Sequence, residues 1–166
     1  MESSTIIHTI PPVYDRRSRV LLLGTMPSPK SREAGFFYGH PQNRMWPVLA
    51  RLFGEETPTD TESRRRFLLL HQIAMWDVLS SCSIRGADDS SIRDPVPNDL
   101  RPILEQAPIA AIFCTGKKSF SLYNRYIRPV TGREAFCLPS TSPANCRNQN
   151  LETLTDAYRA LLSFLG

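Results

Sequence analysis

Apolar residues along this chain fall into short blocks separated by polar, proline-rich segments. Residues 19–24 (R-V-L-L-L-G) stop abruptly at glycine, and a run so short predicts a buried strand rather than a helix. Pro27 and Pro29 follow, so residues 25–39 are expected to be loop. Apolar residues at 45, 46, 48, 49, 52 and 53 have helical spacing. A second helix is expected over 62–72, with Phe67, Leu68 and Leu70 inward and Arg64, Arg65 and Arg66 outward. Residues 73–76 read as a short strand ahead of Asp77, which caps or anchors the next loop. The polar segment 80–98, with Gly86, Pro95 and Pro97, is expected to be a long loop. A short helix over 99–107 follows, for which Asn98 is a candidate cap. Residues 109–114 are the clearest buried strand, 117–126 a helix, and 134–138 another strand. An amphipathic helix over 151–165 closes the chain, capped by Asn150 or a neighbour within 148–150.

Strands and helices thus alternate, which argues for an α/β fold: a three-layer α/β/α sandwich around a short, mainly parallel sheet of up to four strands. Such sheets bind ligands beyond the carboxyl ends of their strands. The strand ends here carry G-T-M-P-S (24–28), T-G-K-K (115–118) and L-P-S-T-S-P (138–143), which should meet at one cleft. The 166 residues suit a single domain, and no internal repeat is present.

Composition narrows the function. Apolar residues make up 41% and charged residues 22%, as in ordinary globular proteins. No apolar run approaches the ~20 residues of a membrane span, and residues 1–5 lack the basic and apolar parts of a signal peptide. A cytoplasmic monomer without membrane association is expected. Cys82, Cys114, Cys137 and Cys146 are scattered. Cluster and zinc ligands come in close pairs, so the core reading is preferred over an iron–sulfur centre, and neither metal nor cofactor is expected. A net charge of +4 and a pI near 9.1 fit a polyanionic partner without requiring one. No Walker-type loop and no G-x-S-x-G elbow occurs, which sets aside ATP hydrolysis and α/β-hydrolase chemistry.

Two loops carry candidate chemistry. In L-P-S-T-S-P-A-N (138–145) prolines preset the backbone and hydroxyls can bond phosphate oxygens, unless the segment is only a helix-capping turn. In Y-G-H-P-Q-N-R-M-W (38–46) an aromatic, an amide and a tryptophan lie within nine residues. Together with G-T-M-P-S at 24–28, these loops resemble the active-site motifs of the uracil-DNA glycosylase superfamily. Trp76-Asp77-Val78-Leu79 and segments 82–92 and 113–126 add resemblance to its hypoxanthine-DNA glycosylase branch, called family six. The likeness runs from about residue 20 to 145.

The resemblance implies a monofunctional glycosylase that hydrolyses the N-glycosidic bond of a deaminated base flipped out of DNA. Hypoxanthine is the first candidate; a uracil or mismatch-specific activity, or an inactive DNA-binding protein on the same scaffold, are the alternatives. Gly24, Thr25 and Met26 would line the base pocket and Tyr38 would stack on the base, unless it is a core tyrosine. Asn43 would be catalytic, offering its carbonyl to a water or the sugar cation, or its NH2 to the base; a helix N-cap is the plain alternative. Ser28, Ser140, Thr141, Ser142 and Asn145 would contact DNA, with Pro143-Ala144 as a wedge and Lys117 and Lys118 adding backbone charge. His40 is expected to be structural or to touch phosphate. Met26 departs from the catalytic asparagine of mismatch-specific relatives, Leu138 from a base-polarising His or Asn, and Met45 from the usual phenylalanine.

Overall fold

Seven strands and seven α-helices make up the computed structural model, which describes residues 4–85, 88–145 and 149–165. Gly86, Cys146 and Asn148 lie outside the described residues. The strands are β1 (Ser4–Ile7), β2 (Val20–Gly24), β3 (Ile73–Asp77), β4 (Leu79–Arg85), β5 (Asp88–Pro97), β6 (Ala111–Thr115) and β7 (Ala135–Leu138). The helices are α1 (Pro29–Ala34), α2 (Met45–Phe53), α3 (Thr61–Leu70), α4 (Arg101–Gln106), α5 (Lys117–Leu122), α6 (Arg128–Thr131) and α7 (Leu151–Tyr158). A π turn (Tyr123–Ile127) joins α5 to α6, and a 3-10 segment (Arg159–Phe164) continues α7.

The central sheet runs β3-β2-β6-β7 and every pairing in it is parallel. Side chains alternate faces along a strand, and that alternation divides the core in two. Val20, Leu22, Met75 and Phe113 pack with Met45, Trp46, Leu49, Leu68, Leu154 and Tyr158 from α2, α3 and α7. Leu21, Leu23, Ala74, Ile112 and Cys114 pack on the other side with Ile103 of α4, Leu122 of α5, and Cys82, Ile84 and Ile92. This is the α/β/α sandwich the alternation predicts. Among the described residues no helix is long and apolar enough to cross a membrane.

Several expectations are corrected. Segment 25–39 is not all loop, because α1 occupies its middle. Pro29 sits in the first turn, where the missing N–H costs nothing, Ser28 caps the start, and Gly35 ends the helix at φ 74°. Segment 80–98 is not a loop: β4 and β5 form an antiparallel ribbon on which β1 adds a third strand. Cys82, Ile84 and Ile92 face inward while Ser81 and Ser83 are half-exposed, a half-buried alternation obscured by the turn-forming residues. Pro95 and Pro97 are tolerated because β5 is an edge strand. Asn98 does not cap α4; it is buried and donates through Nδ2 to the carbonyls of Asp77 (2.8 Å) and Leu79 (3.0 Å). Leu70 is 62% exposed. Arg64 and Arg65 are half-buried, their guanidinium groups 5.2 and 5.3 Å from the ring centres of Trp46 and Phe36. Cys114 is core, its thiol pushed up to about 12 by burial, but Cys137 is exposed.

Candidate active site

The expected strand-end loops meet. Residues 24–28 after β2, Thr115 at the end of β6, and residues 140–144 after β7 line one cavity of about 330 Å³, with Tyr38, His40 and Asn43 contributed by the segment before α2. That volume is in the range of small-ligand sites. Gly24, Phe37 and Asp77 are buried at its closed end, whereas His40, Ser142 and Pro143 are half-exposed at the rim and Ala144 is exposed.

Asn43 is oriented by its carbonyl. Oδ1 accepts from the Met45 backbone N–H at 2.9 Å and from the Thr141 hydroxyl at 2.8 Å. An amide oxygen has two lone pairs, so both are engaged. The N-cap position of α2 is Arg44 rather than Asn43, but from one residue earlier the Asn43 carbonyl still satisfies the Met45 N–H at the start of the helix. Nδ2 has no partner among the described residues, and the side chain lines the cavity. The arrangement removes the option of a carbonyl offered to water and leaves a fixed N–H donor.

Tyr38 forms a rigid wall. Its hydroxyl donates to Thr115 Oγ1 at 2.8 Å, because that hydroxyl in turn donates to the Leu23 carbonyl at 3.3 Å. The Tyr38 carbonyl accepts from Trp46 Nε1 at 3.2 Å. Tyr38 sits at φ 50°, a left-handed conformation that is uncommon for a bulky residue and is held only where the surroundings determine it. Burial raises the Tyr38 hydroxyl far above its ordinary 10.0, with the Asp77 carboxylate adding to the effect. Tyr158, whose hydroxyl donates to the Pro139 carbonyl, is likewise raised by burial. Above a pH of about 10 the unfolded chain ionises tyrosines that the fold keeps protonated. The unfolded state then binds fewer protons, so stability must fall as pH rises. Urea melts from about pH 9 to about pH 11 should show that decline, and Tyr38→Phe should make it shallower.

Behind Gly24 lies a pair with no clear signal in the linear sequence. His8 and Asp77 are almost wholly buried, with His8 Nε2 2.8 Å from Asp77 Oδ2. His8 Nδ1 accepts the Ile10 backbone N–H at 3.2 Å, so Nε2 carries the proton and donates to the carboxylate. His8 is separated from Asp77 by 69 positions and reaches it because β1 lies on β4.

The loop after β7 differs in part from its expectation. Thr141 is 1% exposed and its hydroxyl is committed to Asn43, so it positions the amide rather than gripping phosphate. Ser140 Oγ accepts the Ser142 N–H, and Asn145 Nδ2 donates to the Ser140 carbonyl. Ser28 is engaged in capping α1, although it still lines the cavity. Lys117 and Lys118 start α5 and do not line the cavity. Leu138 packs in the core and not in the cavity. Met26 lines the cavity and also packs beside the second core cluster.

Arg44, which the sequence reading passed over, clamps the loops together. Its backbone N–H donates to the Thr141 carbonyl, Nη2 to the Ser142 carbonyl at 3.0 Å, and Nη1 to the Gln149 carbonyl. Arg44→Ala removes the two charge-assisted bonds and should cost about 1–3 kcal/mol in urea melts, with faster proteolysis within 140–145.

The four-stranded parallel sheet, the strand-end cavity, the amide at its wall and the Ser/Thr/Pro loop at its rim are arranged as the resemblance to DNA glycosylases implies. The chain belongs to the uracil DNA glycosylase superfamily, whose family model matches residues 11–162. It is 32% identical over 149 residues to a protein of Methanosarcina acetivorans named hypoxanthine DNA glycosylase, covering 89% of this chain and 94% of that one. It is 32% identical over 140 residues to the protein of that name from Methanosarcina barkeri, covering 83% and 87%. Among solved structures it is similar to a candidate uracil DNA glycosylase from Methanosarcina acetivorans determined by solution NMR. That likeness has a TM-score of 0.79 and 29% identity over 96% of this chain and 99% of the other.

Proposed function

We propose that this protein is a single-domain DNA glycosylase that flips a deaminated base, hypoxanthine first, into the cavity and hydrolyses its N-glycosidic bond. The observation that carries the reading is the Asn43 amide, held by its carbonyl with Nδ2 at the cavity wall. A base in a duplex is out of reach until it is extruded. Once it is in the cavity, the part-exposed Tyr38 ring offers it a stacking surface, worth roughly 1–3 kcal/mol. As the C1′–N bond breaks, its electron pair moves to the base and positive charge develops on the sugar. Asn43 Nδ2–H donates to the base carbonyl and meets the growing negative charge; a donor fixed in advance has no reorganisation to undergo. Water then adds to C1′ and the proton it loses is taken up by the departed base anion, leaving neutral free base and an abasic sugar. Ser140, Ser142, Pro143, Ala144 and Asn145, at or beside the rim, would hold the flanking backbone, with Lys117 and Lys118 adding charge. The hypoxanthine names of both Methanosarcina relatives support the choice of base.

The test incubates the protein with duplexes carrying hypoxanthine, uracil, xanthine or a mismatch, with EDTA present, and follows free base by chromatography. Hypoxanthine release leaving an intact abasic strand is the expected result. Release of no base from any duplex that the protein still binds would assign it to DNA binding alone.

A further inference from the structure

One wall of the cavity comes from outside the strand-end loops. β3 ends at Asp77, level with Gly24, yet Val78 and Leu79 go on donating to the carbonyls of Gly24 and Thr25. The chain then runs into β4 and keeps the same neighbour on its other side. Val13 faces Met75, Ile7 faces Ser81 and Ser4 faces Ile84, with equal spacing between successive pairs on both strands. The two segments thus form one continuous antiparallel ribbon, which carries the chain past the end of β2 at about 3.3 Å per residue. Ile84, near the far end of that ribbon, lines the cavity. It is 5% exposed, between half-exposed Ser83 and exposed Arg85, so the alternation of the strand turns it inward.

Ile84 and Tyr38 stand on opposite sides of the cavity. Tyr38 packs against the cluster that holds Val20, Leu22 and Phe113, whereas Ile84 belongs to the cluster of Leu21, Leu23 and Ile112. Those clusters cover the two faces of the sheet, and the cavity lies across its carboxyl end with both residues in its lining. From this placement we infer that Ile84 is a base-holding residue, closing on the face of the flipped base that Tyr38 leaves open. The inference rests on the glycosylase reading and supplies the second wall of its binding slot.

An isoleucine suits that place. Branching at Cβ leaves it few rotamers, and Cys82 and Ile92 belong to the same cluster, so the wall is fixed in advance. Met26 lines the cavity beside that cluster, and its unbranched thioether fills what the stiffer side chain leaves. An aliphatic surface takes the ring face of the base out of water without requiring a hydrogen bond. It carries no charge, so it neither helps nor opposes the electron pair that moves onto the base. Its contribution is the same before and during bond breaking and belongs in affinity rather than in rate. It also reads no ring edge, and so holds hypoxanthine, xanthine and uracil alike.

The experiment compares two duplexes that differ at one residue. One carries a non-cleavable 2′-fluoroarabino hypoxanthine nucleotide, the other a tetrahydrofuran abasic residue that puts no base in the cavity. Ile84→Ala should bind the hypoxanthine duplex about 10-fold more weakly than wild type, and the tetrahydrofuran duplex within about twofold of it. Its single-turnover cleavage at saturating protein should stay within about twofold of wild type. Ile84→Val keeps most of the core volume and should show the same selective loss at about 2- to 4-fold; it tests the slot even where the alanine variant folds poorly. Equal weakening on both duplexes would make Ile84 a support of the fold alone and overturn the inference. So would slow cleavage at saturation with affinity unchanged, or a new order of preference among hypoxanthine, xanthine and uracil. Base release by wild type from cleavable duplexes, measured alongside, judges the excision reading on its own.

Discussion

Asn43→Asp should fold at least as well as the wild type and release hypoxanthine about 10²–10³-fold more slowly. The two expectations come from opposite ends of one side chain. The oxygen that accepts from Met45 N–H and Thr141 Oγ1–H is retained in aspartate, so both donors at the start of α2 keep their acceptor. A negative charge there also suits the helix N-terminus. At the cavity the N–H donor becomes an anionic oxygen, which repels the charge accumulating on the base carbonyl. Asn43→Ala should lose as much activity and in addition about 0.5–2 kcal/mol of stability, because Met45 N–H and the Thr141 hydroxyl both lose their acceptor. The comparison of single-turnover rates with urea melts separates a chemical role from a capping role. If Asn43→Asp kept wild-type rates, the amide would be a cap and nothing more.

Gly24→Ala should be the most damaging change that touches no proposed catalytic group. Its methyl would sit 2.5 Å from Asp77 Oδ1 and 3.1 Å from Tyr38 Oη. Neither neighbour is a free side-chain end. Asp77 is held by His8 and Tyr38 by Thr115, and both lie at the closed end of the cavity. Moving either takes a packed group out of its place, at a cost of about 1–3 kcal/mol. The cavity also narrows where the base edge would rest. The expected outcome is a lowered melting temperature together with a loss of hypoxanthine affinity, while binding to undamaged duplex changes little. An unchanged melting temperature would mean that the closed end is looser than these contacts imply.

Much of the architecture was legible from local signals. The strand at Val20–Gly24 announced itself by an unbroken apolar run, because a parallel strand buried on both faces needs apolar residues at every position. The helix at Met45–Phe53 was legible to the residue, its apolar positions falling on one face. Asn150 is the cap of α7, with Thr153 completing a reciprocal capping box. The ribbon of β4 and β5 was missed because only one of its faces is buried, and its turn-forming residues outweighed a faint alternation. The helix at Pro29–Ala34 was missed for a related reason: proline was read as a breaker, whereas in the first turn it is compatible with a helix. The site residues were legible as motifs. Their atomic roles were not, since Thr141 looks like a phosphate contact until its hydroxyl is seen to end on Asn43.

By itself, then, the sequence determined which segments are strands buried on both faces, where most helices lie, which strand ends carry polar loops, and that those loops belong to a base-excising superfamily. These properties depend on periodicity and on residue order, and both are present in one dimension. Only the tertiary structure decided that His8 meets Asp77 beneath Gly24, that Arg44 ties residues 44, 142 and 149 together, and which end of the Asn43 amide is free. Each of these is a contact between residues far apart in the chain or a choice between two ends of one group. Hydrogen-bond partners make that choice, and partners exist only once the backbone has closed around them.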